Sequence, residues 1–342
     1  MFKRLLAACL LLGVLACGRL AAAEPPTVPE GALRAGIIGL DTSHVIAFTK
    51  AINSPDAQGD IADVFVTAGF PGGTADNPSS INRVEGYTKQ LREQGVTIYD
   101  TIEAMLPHVD AVLLESVDGR PHLEQARPVI AAGKPLFIDK PMAASLADVI
   151  EIFRLADEAK VPCFSSSSLR FGSVFQQMRT NPPVGKVQGC DAYSPCSLEP
   201  HHPDLFWYGV HGVEILFTIM GTGCQSVSCT ATDGAHLVVG TWDGGRIGTF
   251  RGIRSGKSGY GATVFGAKAI ESGGNYEGYL PLVEEICKFF KTGKAPVPKE
   301  ETIELFAFMA SADVSKQQGG KQVSIAEMIE KAEAFNAQRA AR

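Results

Sequence analysis

The distribution of apolar positions divides the chain into two stretches of different character. In the first, short apolar runs alternate with segments of helical period. Ala35-Gly36-Ile37-Ile38-Gly39-Leu40 is a compact apolar run ending at a turn, as a buried strand does. A helix is expected over Val45–Ile52, a second strand over Ile61–Ala68, then a loop at Gly69-Phe70-Pro71-Gly72-Gly73. The alternation continues with a helix at Tyr87–Gln94, a strand at Val96–Tyr99, a short helix at Ile102–Leu106 and a strand at Ala111–Glu115. His122–Ala132 reads as a helix, Pro135–Asp139 as a fifth strand, Leu146–Ala159 as a helix and Val161–Ser165 as a sixth strand. Such alternation predicts a parallel sheet with right-handed crossovers, whose ligands sit at the carboxyl ends of the strands.

Beyond about Arg170 the pattern changes. Val184–Ala192, Ser226–Thr232, Ala235–Thr241 and Arg246–Arg251 read as antiparallel strands with Gly-rich turns such as Asp243-Gly244-Gly245. A helix is expected from Leu205 to Met220, and three more close the chain at Pro281–Lys291, Glu301–Val314 and Ile325–Asn336. The expected class is therefore α/β: an N-terminal doubly wound parallel sheet of Rossmann type over 35–166, then an α+β domain over 167–342 with a mainly antiparallel sheet.

The N-terminus carries a different signal. Phe2-Lys3-Arg4 is a short positive region, and Leu5–Ala16 is an apolar run too short to span a bilayer. Small residues at Ala21-Ala22-Ala23 predict cleavage before Glu24, leaving a linker over 24–34 and no transmembrane span after processing. This predicts a secreted or periplasmic protein using the general export route. Val14-Leu15-Ala16-Cys17 keeps a lipoprotein anchored at Cys17 open. Two of the 8 cysteines fall in that region. The others include Cys190 with Cys196 and Cys224 with Cys229, close enough to pair in an oxidising compartment or to remain buried thiols.

The 342 residues have 45% hydrophobic and 20% charged residues, enough for two cores. A net charge of -6 without a basic run argues against nucleic acid as a partner.

Several segments carry candidate chemistry in a recognisable order. They are Asp110-Ala111-Val112-Leu113-Leu114, Pro121-His122, Ala131-Ala132-Gly133-Lys134-Pro135 and Asp139-Lys140-Pro141. Leu169-Arg170-Phe171, then Gly209-Val210-His211 with Glu214 and Gly221, then Tyr279–Leu305 follow. Together they resemble the Gfo/Idh/MocA (glucose–fructose oxidoreductase / inositol dehydrogenase) family over most of residues 35–325. Its usual Glu-Lys-Pro is Asp-Lys-Pro here. The resemblance implies an oxidoreductase of a sugar, polyol or related hydroxyl compound, using NAD or NADP. It implies a homo-oligomer formed through the C-terminal sheet. It points to Lys140, His211 and Tyr208 as catalytic candidates. Gly39, Asp41, Thr42, Ser43, His44, Glu115, Ser116, His122 and Asp139 become candidates for the cofactor, and Arg170, His201, His202, Asp204 and Trp207 for the substrate.

Three positions depart from that pattern. A dinucleotide loop wants G-x-G-x-x-G so that backbone N–H groups approach the pyrophosphate at a helix N-terminus. Here Gly39-Leu40-Asp41-Thr42-Ser43-His44 puts Asp41 and His44 at the second and third Gly, and a carboxylate is expected where phosphates would lie. The second strand ends in Thr67-Ala68-Gly69-Phe70 without the carboxylate that holds ribose hydroxyls, and Arg83 is the nearest candidate for a 2′-phosphate. Four residues before His211, where the family often has Asp, stands Trp207. These departures keep open a repurposed carbohydrate-active hydrolase or lyase, or a sugar-binding protein without catalysis. His201, His202, His211 and Glu214 form an alternative metal-ligand set.

Overall fold

The computed structural model describes residues 27–341, so the expected signal segment, its cleavage site and Cys17 lie outside the described residues. Six parallel strands form the first sheet: β1 (Leu33–Ile38), β2 (Val64–Phe70), β3 (Thr97–Ile98), β4 (Ala111–Leu114), β5 (Leu136–Asp139) and β6 (Cys163–Ser166). Their order is β3-β2-β1-β4-β5-β6, so the winding reverses between β1 and β4. Every residue of β4 and β5 is buried, because helices cover both faces, and this is why these strands read as unbroken apolar runs.

One face carries His122–Ala131 and Leu146–Ala159. The other carries Ser43–Ile52 and a helix from far along the chain, Leu280–Thr292. Ile286 and Phe289 join Phe48, Phe137 and Phe164 in one core, with Phe164 and Phe289 meeting edge to face at 4.8 Å. The expected division near residue 166 is thus crossed: a helix assigned to the second domain completes the first. Its apolar stripe needed a partner, and the sheet's open face supplied it.

The second sheet has seven strands: β7 (Val187–Pro195), β8 (Cys224–Thr232), β9 (Ala235–Trp242), β10 (Ile247–Ile253), β11 (Gly261–Gly266), β12 (Ile270–Gly273) and β13 (Val323–Ser324). The order is β12-β11-β7-β10-β9-β8-β13, antiparallel throughout except between β7 and β10. Strict alternation of buried and half-buried residues along β9 marks a sheet with one covered face. Two helices cover it, Val210–Met220 and Lys299–Gln317, and Val210–Met220 is buried at all its positions.

Several boundaries differ from expectation. β2 starts at Val64 after a 3-10 turn over Gly59–Asp63. β7 starts at Val187 and runs on to Pro195. β11 and β12 were not expected, because Gly-rich sequence around them has little apolar alternation. The single helix expected over 205–220 is two, Asp204–Trp207 and Val210–Met220, broken at Tyr208-Gly209. A Cβ on Gly209 would meet Leu205 O at 3.0 Å and Cys196 Sγ at 3.1 Å, so the chain passes too close there for most residues. All six cysteines of the described residues are free thiols, which resolves the disulfide alternative for Cys190, Cys196, Cys224 and Cys229. Burial pushes Cys196 and Cys229 up to about 11 each, so these thiols stay protonated.

The Val210–Met220 helix approaches the second sheet through Gly212, where an added Cβ would lie 2.2 Å from Phe250 and 2.7 Å from Ser194 Oγ. Gly212→Ala is expected to lower unfolding free energy by about 1–3 kcal/mol, measured by urea denaturation. Unchanged stability would show that the helix has room to withdraw.

Candidate functional site

A cavity of about 470 Å³ opens at the carboxyl edge of the parallel sheet, where ligands of such sheets sit. Lys140, which directly follows β5, enters it from one side. Thr42, Ser43 and His44 enter at the N-terminus of the Ser43–Ile52 helix. Thr42 caps that helix by accepting the His44 N–H at 3.4 Å. Opposite stand Trp207 and Tyr208, at the break between helices, and His211, in the first turn of the next helix. The cavity thus gathers all three catalytic candidates, three cofactor candidates and Trp207.

Its floor is unusual in charge. His44 Nδ1 lies 2.6 Å from Asp139 Oδ2 and 4.0 Å from Glu115 Oε2. Asp139 is only 3% exposed at its side chain and Glu115 not at all. Neither Glu115 oxygen has a hydrogen-bond partner among the described residues. Burial, followed by the charge of Asp139, raises the Glu115 pKa well above the ordinary carboxylate value. Burial acts on Asp139 too, but His44 and Lys140 outweigh it and the net shift is downward.

The wall is aromatic. Tyr279 meets His44 edge-on at 4.7 Å and Tyr276 at 5.5 Å. Tyr260 and Tyr208 bring their hydroxyls to 3.3 Å, and Tyr208 meets His211 edge-on at 4.9 Å. Burial, reinforced by the Tyr208 hydroxyl, raises the Tyr260 pKa, so that phenol stays neutral. Tyr260, Tyr276 and Tyr279 were missed in the sequence. They lie on loops without helix or strand period, and only Tyr279 touched a recognised segment.

His211 is buried, with Nδ1 2.7 Å from Ser167 Oγ. Burial, then the neighbouring Lys140 and His44, lowers its pKa well below the ordinary imidazole value, so it is neutral in neutral solution. Ser167 was not among the sequence candidates, since a run of four serines gives no hint which one faces the site.

The remaining candidates lie elsewhere. Asp41 is fully buried beneath the loop, accepting hydrogen bonds from Ser80 Oγ at 2.5 Å and Val117 N at 2.8 Å. The expectation of a carboxylate in the phosphate position is corrected: the side chain turns into the protein. Gly39 has φ 84° and packs on Ser116, where a Cβ would lie 2.2 Å from Oγ, so this glycine is required for chain approach. Ser116 Oγ donates to Gln125, and both His122 nitrogens face carbonyl oxygens, of Met142 and Ser116. Arg83, the sequence candidate for a 2′-phosphate, lines the same cavity as Thr42 and Ser43.

Arg170 is buried between Glu214 (2.6 Å) and Glu301 (2.5 Å) and does not line the cavity. His201 pairs with Glu199, and His202 lies between Glu199 and the Gly119 N–H. Asp204 pairs with His236 and Lys316. The metal set of His201, His202, His211 and Glu214 is therefore dispersed, each taken by other partners. Among the described residues the His/Cys/Asp/Glu group whose ligand atoms converge, within 4.8 Å of one another, is His44, Glu115 and Asp139.

Comparison with known proteins agrees with this architecture. Residues 80–167 match the Gfo/Idh/MocA family model, described as an oxidoreductase family with an NAD-binding Rossmann fold. No curated protein matches the chain by sequence. Among solved structures, scyllo-inositol dehydrogenase from Lactobacillus casei, with bound NAD(H) and scyllo-inositol, superposes with TM-score 0.70 at 13% identity. The match covers 86% of this chain and 99% of that one. Myo-inositol 2-dehydrogenase from Lactobacillus plantarum gives TM-score 0.69 at 17% identity, covering 86% and 99%. At these identities the likeness is one of fold: the chain has the Gfo/Idh/MocA fold.

Two outcomes follow from the buried charges. Arg170→Met leaves Glu214 and Glu301 enclosed with less compensation, and should cost about 3–5 kcal/mol of stability by denaturant titration. A loss under about 1 kcal/mol would mean that water reaches the pair. An unfolded imidazole titrates near about 6.5, above buried His211, so the unfolded chain takes up that proton first. Acidification through this range therefore removes stability, and the His211 imidazole resonances should stay in their neutral positions at pH values where an exposed histidine has shifted. Titration of the His211 imidazole across the exposed-histidine range in an NMR series would contradict this.

Proposed function

We propose, for a chain with the Gfo/Idh/MocA fold and a Rossmann domain matching that family's model, an exported oxidoreductase that oxidises or reduces a hydroxyl-bearing carbon of a sugar, polyol or related compound with NAD or NADP. The observation that carries this reading is the meeting of Lys140 and neutral His211 in one aromatic-walled cavity at the carboxyl edge of the sheet. The comparison structures with inositol dehydrogenase names support the substrate class.

The residues fit a nicotinamide cofactor. Asp41 is turned inward, so its carboxylate does not repel a phosphate at the helix N-terminus. Thr42 and Ser43 offer that N-terminus to the cavity, and Arg83 adds a cation beside them. Such a cofactor supplies hydride transfer. This chain's residues do the rest. Tyr208, Tyr260 and Trp207 form a wall on which a sugar ring stacks with its hydroxyls directed inward. Lys140 orients the reacting hydroxyl and exchanges its proton, while His211 holds the same oxygen from the opposite side. Export through the signal segment is part of the proposal, with lipid attachment at Cys17 as its variant. So is a homo-oligomer formed on the outer face of the second sheet, where Tyr193, Ile247 and Ile270 are exposed.

A hydrolase or lyase working without nicotinamide is the second reading, favoured by the carboxylates of Glu115 and Asp139 beneath the cavity. Nicotinamide released on denaturing protein from the exported fraction, or binding of added NAD(P)H, separates the two. Neither release nor binding would end the redox reading. Against a panel of polyols and sugars, Lys140→Met should lower kcat/KM by about 10²–10⁴ while leaving NAD(P)H affinity within a few fold. Equal activity would remove Lys140 from the mechanism.

A further inference from the structure

Beneath the cavity, three side chains converge from three separate segments of the first sheet's carboxyl edge. His44 comes from the helix after β1, Glu115 from the end of β4 and Asp139 from the end of β5. Their nearest ligand atoms all lie within 4.8 Å of one another. The charges facing this point are the carboxylates of Glu115, Asp139 and Asp41 and the single ammonium of Lys140. Asp139 is paired with His44, and Asp41 with Ser80 and Val117. Glu115 has only the 4.0 Å approach of His44 Nδ1 and no hydrogen bond among the described residues. Its side chain has no exposure, it lies beside the other two groups, and both oxygens lack a hydrogen-bond partner among the described residues. A buried carboxylate left like this costs several kcal/mol in general, so buried charges are ordinarily paired or coordinate a metal.

We propose that His44, Glu115 and Asp139 form a binding site for a divalent first-row transition-metal cation, Zn²⁺ or Mn²⁺, at the floor of the cavity. One imidazole nitrogen and two carboxylates are a donor set for such ions, and three protein ligands leave a coordination position open. Donors about 2.0–2.2 Å from a common ion stand roughly 3–3.5 Å apart. The His44–Asp139 contact of 2.6 Å opens slightly to reach this, and the His44–Glu115 separation of 4.0 Å closes. His44 and Lys140 both line the cavity above, so the open position faces the space where a ligand oxygen would sit. The six cysteines, all free thiols, contribute no ligand to the group. The proposal stands apart from the redox reading, since it requires no nicotinamide.

The test uses the full chain, stripped with a chelator and passed through gel filtration. It is titrated with ZnCl₂ and with MnCl₂ by calorimetry, and the metal content is then measured by mass spectrometry. The expected result is one ion per chain and a raised Tm. Glu115→Gln and Asp139→Asn should each weaken binding at least about 10-fold, with circular dichroism confirming the fold. His201→Ala, at a half-exposed pair outside the cavity, should leave it unchanged. Co²⁺ in the unmutated protein gives a readout independent of the variants: weak visible bands without the intense thiolate bands. No binding by the stripped protein overturns the proposal. Thiolate bands, or affinity unchanged in both carboxylate variants, overturn it by placing the ion elsewhere. Nicotinamide binding is scored separately on the same samples, so either idea can fail alone.

Discussion

The structure turns on a buried guanidinium. Arg170 leaves the last strand of the first sheet and is held by Glu214 from the Val210–Met220 helix and by Glu301 from the Lys299–Gln317 helix. Arg179 reaches Glu301 from a third helix. In water each of these charges would be solvated, and enclosing them is unfavourable unless the geometry is met. The network is therefore a demand for one arrangement more than a source of stability. It fixes the Val210–Met220 helix against the exit of the first sheet, and Glu214 also accepts the Ser167 N–H. His211 lies on that helix three residues before Glu214. The distance between His211 and Lys140 across the cavity thus depends on an ion network that touches neither ligand nor cavity.

The loop after β1 shows a similar economy of backbone groups. The Gly39 and Leu40 N–H groups donate to Phe70 O and Pro71 O, so the loop is tied to the end of β2. Asp41 ties the same loop to Ser80 and Val117. A loop built in this way keeps its shape without a ligand and does not rely on glycine at the second fingerprint position. What remains available to an anion is the helix start at Thr42 and Ser43 with Arg83 nearby. That is a differently composed cradle from one built on three glycines, and it opens into the same cavity as Lys140.

The fold was legible because its signals are local. Continuous apolar runs at β1, β4 and β5 and the helical periods between them fix a parallel sheet, and the Asp139-Lys140-Pro141 position marks its carboxyl edge. Lys140, His211, Tyr208 and Trp207 could be read as site residues for the same reason. What escaped was set by tertiary packing. The sequence does not say that Asp41 turns inward, that Leu280–Thr292 returns to the first sheet, or that Arg170 is consumed by two glutamates. Helices in sequence order do not reveal which sheet they cover. His201, His202 and Asp204 look like ligands when counted by composition, yet each found a partner within a few residues or across a neighbouring element. Glu115 was named for the cofactor through the resemblance. Its lack of a hydrogen-bond partner is visible only in three dimensions.

The missing carboxylate before His211 alters how a proton can move. With Trp207 at that position, Nδ1 of His211 meets Ser167 Oγ instead. That hydroxyl already accepts the Leu169 N–H at 3.2 Å, which leaves its own O–H to be donated. The arrangement that satisfies every group has Ser167 donating to Nδ1, so the imidazole proton resides on Nε2. In this tautomer His211 is a hydrogen-bond donor toward a substrate oxygen and has no vacant nitrogen with which to take up a proton there. A serine, unlike an aspartate, also does nothing to stabilise an imidazolium. Independently of Ser167, burial and the neighbouring Lys140 and His44 hold the His211 pKa down and keep the ring neutral. In the proposed reaction, proton exchange with the substrate hydroxyl is assigned to Lys140, and His211 is assigned to hold the oxygen in place. Where the resemblance would put a carboxylate behind this histidine, Ser167 leaves a neutral, donating imidazole, and the proposed reaction places its acid–base chemistry on the lysine across the cavity.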